Sequence, residues 1–264
     1  MSFFFQERDW GLGNFVMATP MMQLQSKKIG RPIPTFFTNR QIASLYRDAP
    51  FVEILEKRPS GPNEYGSSRH PKKRLPGESD SEAYCRIHLK HSGEIPGTYV
   101  DRPDPFECDF ERRNDRPHIA VFHGCLGEGL RKRKDIGAAT RQSILDGISK
   151  RGMVPVLLGS QADIDNFWRH NGLKHCIHLA GKLSLRDSVS VLARCDAFIS
   201  NDTGLYHVAG ALGIPGMVLW RTTDPVKNRS TSDTIRHIIG KGNPQALHKE
   251  NIESYLEELD GTIF

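Results

Sequence analysis

Residues 199–215, I-S-N-D-T-G-L-Y-H-V-A-G-A-L-G-I-P, combine the parts of an anion site. An apolar run from Asp196 to Ile199 leads into a polar turn, a small-residue helix follows, and Gly213-Ile214-Pro215 stops it. The order reads strand, turn, helix N-terminus. The first N–H groups of a helix have no partner inside it, and the helix dipole adds partial positive charge there. Thr203 and Gly204 let a phosphate come close, and His207 lies one turn in on the same side. That chemistry suits an enzyme that handles a phosphorylated ligand. The competing explanation is an ordinary helix capped by Asp202 or Thr203.

The flanking sequence reads as the scaffold for such a turn. Apolar runs at His118–Phe122, Met153–Leu158, Cys176–Leu179, Ala197–Ser200 and Gly216–Trp220 predict strands. Between them, helical stripes are predicted over Ile136–Lys150, over Ile164–His170 and from a hydroxyl cap at Ser184. Alternation of this kind implies a parallel sheet covered on both faces, with ligands at the carboxyl ends of its strands. The first fifty residues repeat the scheme: a strand at Phe3–Phe5, a glycine turn at Trp10–Asn14, and a helix over Phe15–Leu24 that Pro20 should kink or delay. A strand at Pro34–Thr38 and a helix at Arg40–Arg47 follow. Residues 58–117 are crowded with proline, glycine and charge, and read as loop with one helix near Ser81–His91. The expected division is residues 1–115, loop-rich over 58–115, and residues 116–264, with the linker near 110–117.

The bulk numbers fit a globular protein: 264 residues, 38% hydrophobic and 25% charged. No apolar run is long enough to span a bilayer, and Met1–Phe5 is too short for a signal core, so a cytoplasmic protein is expected. Cys85, Cys108, Cys125, Cys176 and Cys195 are odd in number and form no C-x-x-C pair, which argues against a disulfide framework or zinc ribbon. The net charge of +5 permits an anionic ligand without requiring one. Two further runs invite a metal reading. Asp163-Ile164-Asp165 spells D-x-D, and His175-Cys176-Ile177-His178 alternates on a strand, but neither has a partner cluster, so no metal site is expected.

Residues 176–225 contain L-A-G-x-x-S-L, A-x-C-D, S-N-D-T-G-x-x-H-x-A-x-A-L-G-I-P and T-D-P in that order. Together they resemble the nucleotide-sugar-binding half of the heptosyltransferase-like enzymes, glycosyltransferase family 9. Gly11-Leu12-Gly13-Asn14 resembles the acceptor-side glycine turn of that family, and Phe122-His123-Gly124 the opening of its C-terminal domain. The resemblance implies an α/β protein of GT-B architecture, two Rossmann-like domains with parallel sheets facing across a cleft. Residues 1–115 would take the acceptor and 116–264 the nucleotide sugar. It also implies inverting, metal-independent transfer from a nucleoside diphosphate sugar, with no cofactor.

On the donor side the resemblance assigns Thr203 and Gly204 to the diphosphate, Asp202 to sugar hydroxyls, His207 beside them, Asp163 to the ribose, and Ser184 and Leu185 to the same pocket. Lys134 matches a phosphate-side lysine, with Arg131, Lys132 and Arg133 as rivals. A cation there would stabilise the departing diphosphate as charge builds on it. On the acceptor side, with Gly11 and Gly13, the expected general base is replaced by Asn14, which accepts no proton at neutral pH. Asp9 and His123 are the nearest substitutes. The acceptor is expected to be a saccharide or a lipid-linked one. Hydroxylated DNA bases are an alternative suggested by Lys72-Lys73-Arg74 and Arg131–Lys134, and a binding protein that lost catalysis is another.

Overall fold

The computed structural model describes residues 4–7, 11–58, 64–67, 74–104, 110, 112, 115–124, 134–168, 176–240 and 249–263. Two parallel sheets organise them. In the first half, β1 (Phe4–Glu7), β2 (Ile33–Phe37), β3 (Val52–Leu55) and β4 (Glu64–Ser67) lie in the order β3-β2-β1-β4. In the second, β5 (His118–Phe122), β6 (Val154–Leu158), β7 (Ile177–His178), β8 (Ala197–Asn201), β9 (Gly216–Trp220) and β10 (Ile235–Ile239) lie in the order β10-β9-β8-β5-β6-β7. The sheets fall on either side of residue 115.

The second sheet is covered on both faces, as continuous apolar strands require. Alternate residues of β5 enter different cores. Ala120 and Phe122 join the core that also holds Phe198, Val218 and Trp220, whereas Ile119 and Val121 face Ile199, Met217 and Leu219. The outer core is covered by α4 (Ala138–Lys150) and α8 (Lys249–Ile263). The inner core is shared between the two halves. It contains Val189 and Leu192 of α6 (Leu185–Leu192), Tyr206 and Val208 of α7 (Gly204–Ala211), and Phe15, Met21 and Met22 of α1 (Gly11–Ile29).

The structure departs from the sequence expectation at several points. Gly11–Asn14 is not a turn ahead of the helix but the first turn of α1 itself, entered through Gly11 at φ +60. Pro20 neither stops nor delays α1. It cannot donate to the carbonyl of Val16, but the Thr19 hydroxyl does so at 2.7 Å and removes the orphaned acceptor. Residues 58–115 are not all loop with one helix, since they supply β4 as well as α3 (Asp80–Leu89). The helix expected over Ile136–Lys150 starts two residues later, because Gly137 holds a left-handed backbone at φ +88. Elsewhere α2 (Arg40–Ala43) is followed by a 3-10 turn, and α5 (Gln161–Asp163) by a π-helical turn over Ile164–Trp168. β10 and α8 were not anticipated. The four-residue basic run at 131–134 is described only at Lys134, and Lys72 and Lys73 lie outside the described residues.

The halves are stitched by polar contacts as well as by the shared core. The amide of Asp80 donates to the carbonyl of Lys227 at 2.9 Å, and Arg229 pairs with Glu82 at 2.8 Å. Arg186 donates to the carbonyl of Ser44 at 2.6 Å, and the amide of Thr98 to the Thr231 hydroxyl at 2.8 Å. The tightest join is between α1 and α7. A β-carbon on Gly13 would stand 2.6 Å from Cδ2 of His207, and one on Gly204 would stand 2.9 Å from Cβ of Leu12. Gly13→Ala is therefore expected to destabilise the fold by about 1–3 kcal/mol, the usual effect of overpacking a filled core. Gly204→Ala should do the same, since Gly204 serves the α1 contact as well as any ligand. Urea unfolding of both variants checks this.

Candidate active site

Strand order reverses between β5 and β8, because the chain runs from β5 to β6 and β7 on one side and crosses back to β8 on the other. In open parallel sheets the crevice outside such a reversal is where ligands sit. Phe122 of β5 lies opposite Ser200 of β8, so Gly124 and Asp202 emerge side by side at the carboxyl ends.

Thr203 caps α7, its hydroxyl accepting from the amide of Leu205 at 3.1 Å. Beside it, Nζ of Lys134 lies 2.8 Å from Oδ2 of buried Asp202 and donates to the Asp202 carbonyl at 2.9 Å. Asn228 Nδ2 approaches the same carboxylate oxygen at 3.4 Å. An ammonium has three N–H groups, and these contacts with Asp202 account for two of them. The sequence expectation gave Asp202 to sugar hydroxyls. In this structure its Oδ2 is engaged by Lys134 and Asn228.

His207 is 3% exposed and wedged between α7 and Gly13. Burial lowers its pKa to about 4; Asp202 opposes the shift and Lys134 adds to it. The imidazole is therefore neutral near pH 7, and its Nδ1 finds no hydrogen-bond partner among the described residues. Gly13 reaches this same junction through the first turn of α1, a turn to which Gly11 and Asn14 also belong. Asp9, one candidate for the missing base, lies outside the described residues.

His123, the other candidate, is buried in the packing behind β5. Its ring meets Phe167 edge-on at 4.7 Å, and its Nε2 is 3.4 Å from Asp135, too long for a good hydrogen bond. Burial lowers its pKa, so it too is neutral. With 2% of its surface exposed, it offers an acceptor hydroxyl no approach in this conformation. Asp135 itself pairs with Arg141 and accepts from the amide of Gly137 at 2.9 Å. Burial pushes the Asp135 carboxyl up, but His123, Gly137 and Arg141 outweigh it and hold it well below the usual carboxylate range.

The remaining donor-side residues are engaged in local structure. Asp163 closes a capping box at the start of α5, with Ser160 Oγ donating to its Oδ2 at 2.7 Å, while its Oδ1 lies against Gly124. Ser184 caps α6 and donates to Asp187 at 2.6 Å, and Leu185 packs on the inner core. Asp165 accepts from Gln161 at 3.1 Å, and the described residues contain no group of three or more metal-ligating side chains. Trp220 is fully buried and donates to Nδ1 of His237 at 2.8 Å. Sequence reading overlooked Asn201, Asn228 and Asp135. For Asn201 a signal existed: a carboxamide in an apolar strand must be buried with partners.

The buried histidines fix a pH dependence. An unfolded histidine binds its proton near pH 6.5, whereas His207 resists until about 4, so between these values the unfolded chain holds more protons. Stability should therefore fall as pH drops from 6.5 towards 4, by up to about 3 kcal/mol from this residue. Urea titrations at stepped pH check this; His207→Gln should flatten the slope and leave the share that His123 contributes.

With this geometry in hand, comparison with known proteins is informative. A model of glycosyltransferase family 9 (heptosyltransferase) matches residues 102–257. The lipopolysaccharide heptosyltransferase 2 of Salmonella typhimurium is 42% identical over 101 residues, covering 33% of this chain and 29% of that protein. The matched stretches thus span less than a third of the length of the curated relatives. Among solved structures, a family 9 glycosyltransferase from Veillonella parvula superposes with TM-score 0.79 at 13% identity, covering 99% of this chain and 97% of that one. The E. coli ADP-heptose heptosyltransferase II gives 0.75 at 17%, covering 99% and 98%. At such identities the likeness speaks for the fold, which is GT-B. No helix of the described residues is long and apolar enough to cross a membrane. The family model covers more than half of the chain, and the chain belongs to glycosyltransferase family 9, the heptosyltransferase family.

Proposed function

We propose that this protein transfers a heptose-like sugar from a nucleoside diphosphate donor to a saccharide hydroxyl, with inversion and without a metal. The observation that carries the reading is the meeting, at the β5–β8 reversal, of the α7 N-terminus with a lysine 2.8 Å from Asp202. The names of the relatives, lipopolysaccharide and ADP-heptose heptosyltransferases, support the choice of sugar and of acceptor class.

In this reading the acceptor oxygen attacks the anomeric carbon from the face opposite the diphosphate. The bond from that carbon to the phosphate oxygen breaks, and its electron pair leaves with the nucleoside diphosphate. The N–H groups at Thr203 and Gly204 and the third N–H of Lys134 meet the charge that builds there. They favour the transition state over the ground state, because the charge is larger in it. Asn14 orients the acceptor rather than deprotonating it. The proton goes to a carboxylate outside the described residues, for which Asp9 is our candidate.

The DNA alternative loses one of its few described cations, since Arg74 is 2.5 Å from the buried carboxylate of Asp80. We retain a saccharide as the acceptor.

Transfer should survive EDTA undiminished; loss of activity restored by Mg²⁺ or Mn²⁺ would make the reaction metal-dependent after all. Asn14→Ala should lower kcat by less than the 10²–10⁴-fold typical of a deleted general base, and Asp9→Asn by an amount in that range. Steady-state kinetics with a nucleoside diphosphate heptose and a lipopolysaccharide core fragment measure both. The reverse order, a crippled Asn14→Ala beside an unaffected Asp9→Asn, would return the search for the base to α1.

A further inference from the structure

We propose that Asn201 is a positioning residue that fixes Lys134 in front of α7; the inference rests on the donor-site reading above. Asn201 ends β8 and is 1% exposed. The ladder between β5 and β8 stops at Phe122 and Ser200. Beyond it, the Asn201 carboxamide takes over the pairing. The amide of Gly124 donates to its Oδ1 at 3.2 Å, and its Nδ2 donates back to the Gly124 carbonyl at 3.3 Å. The same Nδ2 also donates to the carbonyl of Lys134 at 3.2 Å.

One side chain thus holds the chain where it leaves β5 and where it returns after residue 133. The next residue, Asp202, holds the other end of the lysine, at 2.8 Å through its carboxylate and 2.9 Å through its carbonyl. Consecutive residues of one strand end therefore grip Lys134 by its backbone and by its ammonium. A lysine is a point charge on a flexible four-carbon stem, and its aim depends on what holds both ends. Misplacement of a catalytic charge by an ångström is enough to slow chemistry considerably.

The grip requires both amide functions. Aspartate has nearly the same shape but no N–H, and it would set a carboxylate against the carbonyls of Gly124 and Lys134. Serine keeps a small polar group but is too short to reach Lys134. Other residue types that only fill space would close the core at this strand end and leave the lysine ungripped.

The test is a double-mutant cycle of Asn201→Asp and Lys134→Ala, read by calorimetric titration with ADP and UDP and with the matching nucleosides. Asn201→Ser serves as the second variant if the aspartate form does not fold. Asn201→Asp should weaken diphosphate binding about 10–100-fold through the misplaced charge and leave nucleoside binding unchanged. In the Lys134→Ala background it should add nothing further, whereas any loss of melting temperature should persist. A loss that is equal for nucleoside and diphosphate, or one that adds fully to that of Lys134→Ala, would make Asn201 structural only and overturn the proposal. Wild-type affinity in both Asn201 variants would do the same. If the wild-type protein binds neither diphosphate, the donor-site reading itself fails, and this inference with it.

Discussion

The whole arrangement depends on how closely α1 and α7 approach each other. Two glycines, Gly13 and Gly204, face one another across this contact, with Leu12 and His207 filling the space around them. A side chain at either glycine would push the helices apart, and with them the two halves. The contact has a second consequence for chemistry. The first turns of α1 and α7 join the halves, so elements of both halves share one seam at the end of the crevice where β5 and β8 reverse. The buried, neutral His207 belongs to that seam, since a charged ring would have to be stripped of water there.

Around the seam, charge is distributed with economy. Lys134 and Asp202 are drawn together at the end of β8, Asp135 and Arg141 behind β5, and Arg112 and Asp196 where the chain enters the second sheet. Asp202 and Asp196 flank β8, so two of the pairs tie a loop to a strand end, whereas Asp135 and Arg141 tie a loop to α4. The pair at Lys134 lies beside the N-terminus of α7, where Asp202 orders the lysine through its carboxylate and its carbonyl. A buried lysine with no partner would lose its proton or turn outwards.

The second half was legible in the sequence to a degree that the first half was not. The strand at Ala197 and the helix opening at Thr203 follow from an apolar run, a hydroxyl cap and a terminal G-I-P, all local signals. The polar turn at Ser184 likewise announces its helix through the capping box with Asp187. By contrast, β4 is E-Y-G-S, with no apolar alternation, and it is a strand only because β1 pairs with it. Gly11 and Gly13 looked like a turn because glycine is a poor helix former; what keeps them helical is the neighbour they allow to approach. α8 carries its stripe plainly in Ile252, Tyr255, Leu256 and Leu259, but its partner face on α4 lies a hundred residues earlier in the chain. Of the site, the helix end at Thr203 was readable, because a helix N-terminus is a local fact. Asn201 was readable only as a buried carboxamide in need of partners; its partners, Gly124 and Lys134, meet it in the folded sheet.

The shared inner core has a consequence for how the chain is made. Gly13 and Gly204 are about 190 positions apart, yet each helix completes the other's covering. At the usual pace of translation, roughly 5–20 residues each second, α1 leaves the ribosome ten to forty seconds before α7 exists. For that interval its apolar side, Phe15, Met21 and Met22 included, has only part of its eventual covering. The first half therefore waits, incompletely closed, for a helix synthesised about 190 residues later.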